Sequence, residues 1–225
     1  MSGNTRGLGE GRQTRYGTAM MGIVYFGGTF DPVHRGHMTM AEAALATPGV
    51  ERVVFLPAPI PPHKRDQQLL SFERRVYLLH LVCQDNPALV VSTLENELPV
   101  PSFTARTLAA LVERGATPPL PLLIGADTLL DLPNWWHPEE VVRRATFLVA
   151  PRADVSLPRV RRTLADLIPA TQFEQRVRFL DMPPVDCSST RIRTALAAGL
   201  DPGGDLPDPV RAYLQAHRSD PTSLD

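Results

Sequence analysis

Residues 27–37 read Gly27-Gly28-Thr29-Phe30-Asp31-Pro32-Val33-His34-Arg35-Gly36-His37, and no other stretch limits the possible folds so strongly. They follow the apolar run Ile23-Val24-Tyr25-Phe26 and lead into the alanine-rich residues 38–46, which read as a helix. A buried strand therefore runs into a glycine-containing turn, and the turn delivers two imidazoles to a helix N-terminus. Unpaired backbone N–H groups and a partial positive charge gather at such an end, which suits phosphate. Glycine allows the close backbone approach that a polyphosphate needs. The segment is a candidate nucleotide site.

The rest of the chain alternates strand and helix. Strand-like runs fall at 23–26, 52–56, 89–92, 120–124, 146–149 and 177–180, several of them continuous and β-branched as in a sheet covered on both faces. Between them, Phe72, Val76, Leu79 and Cys83 recur at helical spacing behind Ser71, an N-cap candidate. Ser102 opens a helix with Ala105, Leu108, Leu111 and Val112 inward. Ser188 or Ser189 caps another, with Ile192, Ala195 and Leu196 apolar and Gly199 at its end. Asp208-Pro209 reads as an N-cap and first helical residue ahead of Val210, Tyr213 and Leu214. Arg159, Arg161 and Arg162, with Val160, Leu164 and Leu167, suggest a solvated amphipathic helix. Alternating βα units imply an α/β fold, a doubly wound and mostly parallel sheet. Ligands bind such sheets beyond the carboxyl ends of the strands. Loops 29–37, 57–65, 125–136 and 186–193 all follow strands and should converge on one rim.

Composition sets the class. The 225 residues suit one large domain, expected over 21–217, and 43% apolar content supplies an ample core. A net charge of −1 gives no global field for nucleic acid, so any anion site must be built locally. No stretch approaches the apolar length of a membrane span, so neither partner class is expected. Residues 1–20 lack the apolar core of a secretory signal. They are expected to be a disordered extension ending near Met20 and Met21, and 218–225 a flexible tail. Cys83 and Cys187 have no metal-ligand spacing and read as two free, buried thiols in a reducing cytosol.

His34 and His37 flank Gly36, and zinc would need further ligands that nothing nearby supplies. Capping or core histidines are the plain structural alternative. As donors to phosphate oxygens they fit everything around them. A second cluster, Ser188-Ser189-Thr190-Arg191-Ile192-Arg193, places hydroxyls and guanidinium groups at another helix start. A third group comprises Pro61-Pro62-His63-Lys64, Pro101-Ser102-Phe103-Thr104, Ile124-Gly125-Ala126-Asp127 and Leu132-Pro133-Asn134-Trp135-Trp136.

The H-x-G-H spacing after G-G-T-F-D-P resembles the signature of the nucleotidylyltransferase superfamily, whose fold is Rossmann-like. S-S-T-x-x-R resembles the element that superfamily places on a triphosphate, with Arg193 at the arginine position and Arg191 at a variable one. In order, all these elements resemble bacterial nicotinate-nucleotide adenylyltransferase over roughly residues 22–215. That family joins ATP to nicotinate mononucleotide, giving deamido-NAD and pyrophosphate in NAD biosynthesis. The expected partners are therefore ATP and nicotinate mononucleotide, with Mg²⁺ held by the ATP phosphates and by no protein side chain, for a monomer or homo-oligomer in the cytoplasm.

The resemblance implies roles residue by residue. Gly27, Gly28, Thr29 and Phe30 line the adenosine and α-phosphate. His34 and His37 stabilise charge on the α- and bridging phosphates, and Ser189, Thr190 and Arg193 hold the triphosphate. Asp127 meets the adenylate ribose or its surroundings. Lys64 lies near the mononucleotide phosphate. Thr104 and Trp136 offer backbone N–H groups to the nicotinate carboxylate, while Trp135 stacks on the pyridine ring. Packing is the alternative for one of the two tryptophans. The chemistry needs no covalent nucleophile, because the acceptor's phosphate is already anionic and can attack in line. Phosphopantetheine adenylyltransferase, whose family is shorter and usually has Thr for the first His of H-x-G-H, is the alternative enzyme. An inactive nucleotide-sensing homologue is the alternative outside catalysis.

Overall fold

Side chains along a strand alternate between faces, and the central runs here are apolar at successive positions, so both faces must be covered. The computed structural model, which describes residues 22–61, 69–184 and 186–217, shows this directly. Its strands are β1 (Gly22–Gly28), β2 (Val50–Pro57), β3 (Leu89–Val91), β4 (Leu120–Gly125), β5 (Ala145–Ala150) and β6 (Val177–Phe179). They pair in the order β3-β2-β1-β4-β5-β6, every neighbour parallel. Each run expected as a strand forms one, in the doubly wound arrangement.

The helices are α1 (Arg35–Leu45), α2 (Phe72–Cys83), α3 (Thr104–Glu113), α4 (Ala126–Leu130), α5 (Pro138–Arg144), α6 (Leu157–Thr163), α7 (Phe173–Arg176), α8 (Ser189–Ala197) and α9 (Asp208–Ala216). On one face Val24, Phe26, Val53, Phe55, Leu123 and Leu148 pack with Met40, Leu79, Ile192 and Val210, from α1, α2, α8 and α9. On the other, Tyr25, Leu122, Ile124, Phe147 and Val149 pack with Leu108, Leu129, Val141 and Val160, from α3 to α6. Chain order reverses between β1 and β4, which opens a crevice at their carboxyl ends. That crevice is where the turn after β1 and the loop after β4 meet.

Local expectations fared unevenly. Ser71 caps α2 as expected, its hydroxyl accepting from the Arg74 N–H at 3.2 Å. Ser102 does not cap α3: Phe103 holds that position, because the Ser102 N–H is tied to the Ile60 carbonyl at 3.0 Å in the neighbouring loop. Pro207, not Asp208, precedes α9; the Asp208 carboxylate instead pairs with Arg35 and Arg211 from within the first turn. Cys83 is buried but Cys187 is only half-buried, because it lies at the opening of α8 on the rim. Val160 and Leu164 are buried while Arg159 and Arg162 face solvent, as expected of that amphipathic segment. Residues 1–21 and 218–225 lie outside the described residues, and so do the expectations for the two termini.

Candidate active site

β1 ends in a turn that only glycine permits at position 28. A Cβ there would meet the Phe30 ring at 2.9 Å. Phe30 has φ +51, a left-handed conformation costing a non-glycine residue about 1–2 kcal/mol. Packing sustains it: the ring is 1% exposed and meets Phe26 and Phe55 edge-on, with centroids 5.3 and 5.5 Å away. This bend turns the chain sharply into α1.

His34 is the N-cap of α1, and the two histidines cap the helix reciprocally. His34 Nδ1 accepts from the His37 N–H at 3.3 Å, and His37 Nδ1 accepts from the His34 N–H at 3.2 Å. The rings stack with centroids 3.7 Å apart. A nitrogen that accepts a hydrogen bond carries no proton, so this network assigns the proton of each neutral imidazole to Nε2. Burial, with Arg152 acting in the same direction, holds His34 down at about 4, so it is a neutral donor at physiological pH. The amides of α1 are therefore less open than the sequence implied. His37 N–H is taken by His34, and the Gly36 amide lies close enough to the Cys187 thiol to oppose the upward push of burial on it. What this end presents is Nε2–H groups.

The segment before α8 therefore lies near the start of α1. α8 has no side-chain cap, so its first amides are left for an anion. Arg193, one turn in, reaches back: Nη1 donates to the Asp31 carbonyl at 2.9 Å and Nη2 to Thr190 Oγ1 at 3.4 Å. Arg193, with Thr190 beside it, thus fastens the start of α8 to the turn after β1 that leads into His34 and His37.

Two adjoining cavities lie beside the glycine turn that leads into α1. The smaller, about 180 Å³, is lined by Gly27, Gly28, Thr29, Glu95 and Thr107 among others. The larger, about 370 Å³, is lined by Phe103, Asp127, Asp131, Asn134 and Trp136 among others. Ser102, Thr104, Thr128 and Trp135 line both, so Trp135 stands at their junction. Asp127 sits in the first turn of α4, its Oδ1 accepting from Arg152 Nε at 3.2 Å. Gly125 makes room for it, since a Cβ there would lie 2.5 Å from that oxygen. Asp127 thus lies on the wall it shares with Trp136. The Trp136 ring stacks on Phe103 with centroids 5.0 Å apart, and the Arg106 guanidinium lies 4.7 Å from its centroid. Lys64 lies outside the described residues.

Residues 25–195 match the cytidylyltransferase-like family. A Symbiobacterium thermophilum protein named "Probable nicotinate-nucleotide adenylyltransferase" is 38% identical over 88% of this chain and 95% of its own length. A Roseiflexus protein of the same name is 37% identical over 89% and 97%. The chain belongs to the nicotinate-nucleotide adenylyltransferase family. The fold is also that of the Plasmodium falciparum nicotinic acid mononucleotide adenylyltransferase complexed with NaAD: TM-score 0.70, 15% identity, 91% of this chain and 99% of that one.

Two buried charged residues beside this site were not expected from the sequence. Arg75, 1% exposed in α2, donates to the carbonyls of Thr29 at 2.7 Å, Ala58 at 2.8 Å, Pro59 at 3.0 Å and Leu70 at 3.1 Å. It fixes the glycine turn to residues on either side of 62–68. The available signal was its place three and four residues from the apolar Phe72 and Leu79. Glu95, 7% exposed, accepts from Thr107 Oγ1 at 2.9 Å, and burial raises its pKa. Nothing in its local sequence marked it as buried.

Proposed function

We propose that this chain transfers the adenylyl group of ATP to nicotinate mononucleotide, releasing pyrophosphate and forming deamido-NAD. The observation that carries the reading is what the glycine turn separates: the oriented imidazoles that follow it, with Arg193 on its Asp31 carbonyl, and the cavity beside Gly27, Gly28 and Thr29 that reaches Trp135. A triphosphate fits the first and a flat pyridine ring the second. The acceptor's 5′-phosphate attacks the α-phosphorus in line, and pyrophosphate leaves. His34 and His37 donate Nε2–H bonds to the α- and bridging oxygens, where charge builds in the transition state. Arg193, Thr190 and the amides of Ser189 and Thr190 hold the leaving pyrophosphate. Gly27, Gly28, Thr29 and Phe30 line the adenosine, with Asp127 near the ribose. Alignment of two bound reactants is worth about 7–11 kcal/mol.

Mg²⁺ fits as an ion carried on the ATP phosphates, because the donors at this rim are N–H groups that bind oxygen and not a cation. It would supply neutralisation of the polyphosphate charge. For the acceptor, Trp135 stacks on the pyridine and the Thr104 and Trp136 amides favour a carboxylate over an amide. Lys64 is assigned to the mononucleotide phosphate. The Trp136 ring, held by Phe103 and Arg106, is assigned to packing.

No helix among the described residues is long and apolar enough to cross a membrane. The reading places the protein in the cytoplasm, where both substrates occur. The test is a steady-state assay with ATP and Mg²⁺ against nicotinate mononucleotide, nicotinamide mononucleotide and phosphopantetheine in parallel. Strong preference for the acid mononucleotide is expected. Equal kcat/KM for the two mononucleotides removes the carboxylate argument, and turnover of phosphopantetheine alone removes the proposal.

A further inference from the structure

We propose that Asp31 is a positioning residue for adenylyl transfer, gripping one edge of the Arg193 guanidinium so that its other edge faces the triphosphate. The inference rests on the adenylyl-transfer reading above. Asp31 is fully buried. Its Oδ1 accepts from the Leu70 N–H at 3.0 Å. Its Oδ2 has no hydrogen-bond partner among the described residues, and Arg193 Nη1 lies 3.6 Å from it. The same Nη1 donates to the Asp31 carbonyl at 2.9 Å. Nη1 is thus held by one residue, through a hydrogen bond to its carbonyl and an ion pair with its carboxylate.

The remaining donors are Nη2, which reaches Thr190 Oγ1 at 3.4 Å, and Nε, which meets no acceptor among the described residues. Nε and Nη2 form the side-on fork of a guanidinium, the geometry that takes two oxygens of one phosphate. A carboxylate oxygen withdrawn from water without a hydrogen bond is costly. Held close to Arg193 at low dielectric, the same charge fixes the guanidinium against rotation far more firmly than an exposed partner would. Without it, Arg193 keeps its charge but loses its aim.

The experiment is a double-mutant cycle of wild type, Asp31→Asn, Arg193→Ala and the pair, each with a thermal midpoint. Asparagine keeps an acceptor for Leu70 N–H but turns an amide toward Arg193. Asp31→Asn should lower kcat/KM for ATP by about tenfold or more, with KM for nicotinate mononucleotide changed less than about twofold. In the Arg193→Ala background the same change should cost less than about twofold. Additive losses, or equal rises in both KM values, would overturn the role. If Asp31→Asn does not fold, Arg193→Lys tests it from the other side. Lysine keeps the charge without the fork, so it should be about as impaired as Arg193→Ala. Near-normal activity of Arg193→Lys overturns the proposal. Wild-type protein that makes no deamido-NAD defeats the functional reading; active wild type with additive losses defeats only the role of Asp31.

Discussion

The two ends of the cleft are built on different principles. At the phosphate end the imidazoles and two guanidinium groups are already bonded to backbone: His34 and His37 to each other's amides, Arg193 to the Asp31 carbonyl, Arg75 to four carbonyls. The groups left over are few and fixed in direction. At the cavity end, side chains stack on one another, and Trp136 is 41% exposed. Charge stabilisation depends steeply on donor position, so the phosphate end is pre-organised before any ligand arrives. A stacked ring tolerates sliding, so the cavity end can be looser. The two helix N-termini at the phosphate end divide the labour in the same way. α1 is capped by its own histidines, whereas α8 is left uncapped.

Substitutions should break this contrast in a definite order. Arg75→Met should have the largest effect, since it strands four carbonyls. The expected loss is about 4 kcal/mol or more, read as a drop in the thermal midpoint on the order of 10 °C or as insoluble protein. A variant that melts within a degree or two of wild type would show the clamp to be incidental. His37→Ala should lower kcat on the order of a hundredfold, while the lost cap costs only about 1 kcal/mol of stability. Near-normal kinetics in the folded variant would remove the imidazole from the mechanism.

Acid sharpens the same end. The folded pKa of His34, about 4, lies below the usual 6.5, so the unfolded chain takes up this proton first. Stability from neutral His34 is complete above pH 6.5 and is lost as pH falls toward 4, amounting to about 3 kcal/mol at the bottom of that range. Denaturant titrations at pH 7 and pH 5 check this, and the slope should flatten in His34→Asn. At the cavity end, Trp135→Ala should raise KM for nicotinate mononucleotide about tenfold and leave KM for ATP within about twofold. Trp136→Phe should do least, about twofold or less on either substrate, because Phe103 and Arg106 can hold another flat ring. A larger effect for Trp136 than for Trp135 would reverse their assigned roles.

Much of this was legible because it is local. β-branched apolar runs give the six strands, and the G-G-T-F-D-P-V-H-R-G-H order gives the turn and the helix carrying both histidines. Ser71 announces α2 by a contact three residues away. Helix starts failed where a distant group intervened. Ser102 is pulled off α3 by Ile60, and Asp208 is drawn to Arg35. In each case a tertiary partner outcompeted the local cap.

The amino-acid order by itself determined the parallel α/β class and the chemical kind of the site, since periodicity and the donor types at a strand–helix turn act within a few residues. Only the tertiary structure decided which nitrogen of each histidine is offered, which edge of Arg193 is left, and that an arginine in α2 fastens the glycine turn. Those outcomes depend on hydrogen bonds between residues as far apart as Asp31 and Arg193. Their direction is set only when the sheet brings separate loops to one rim.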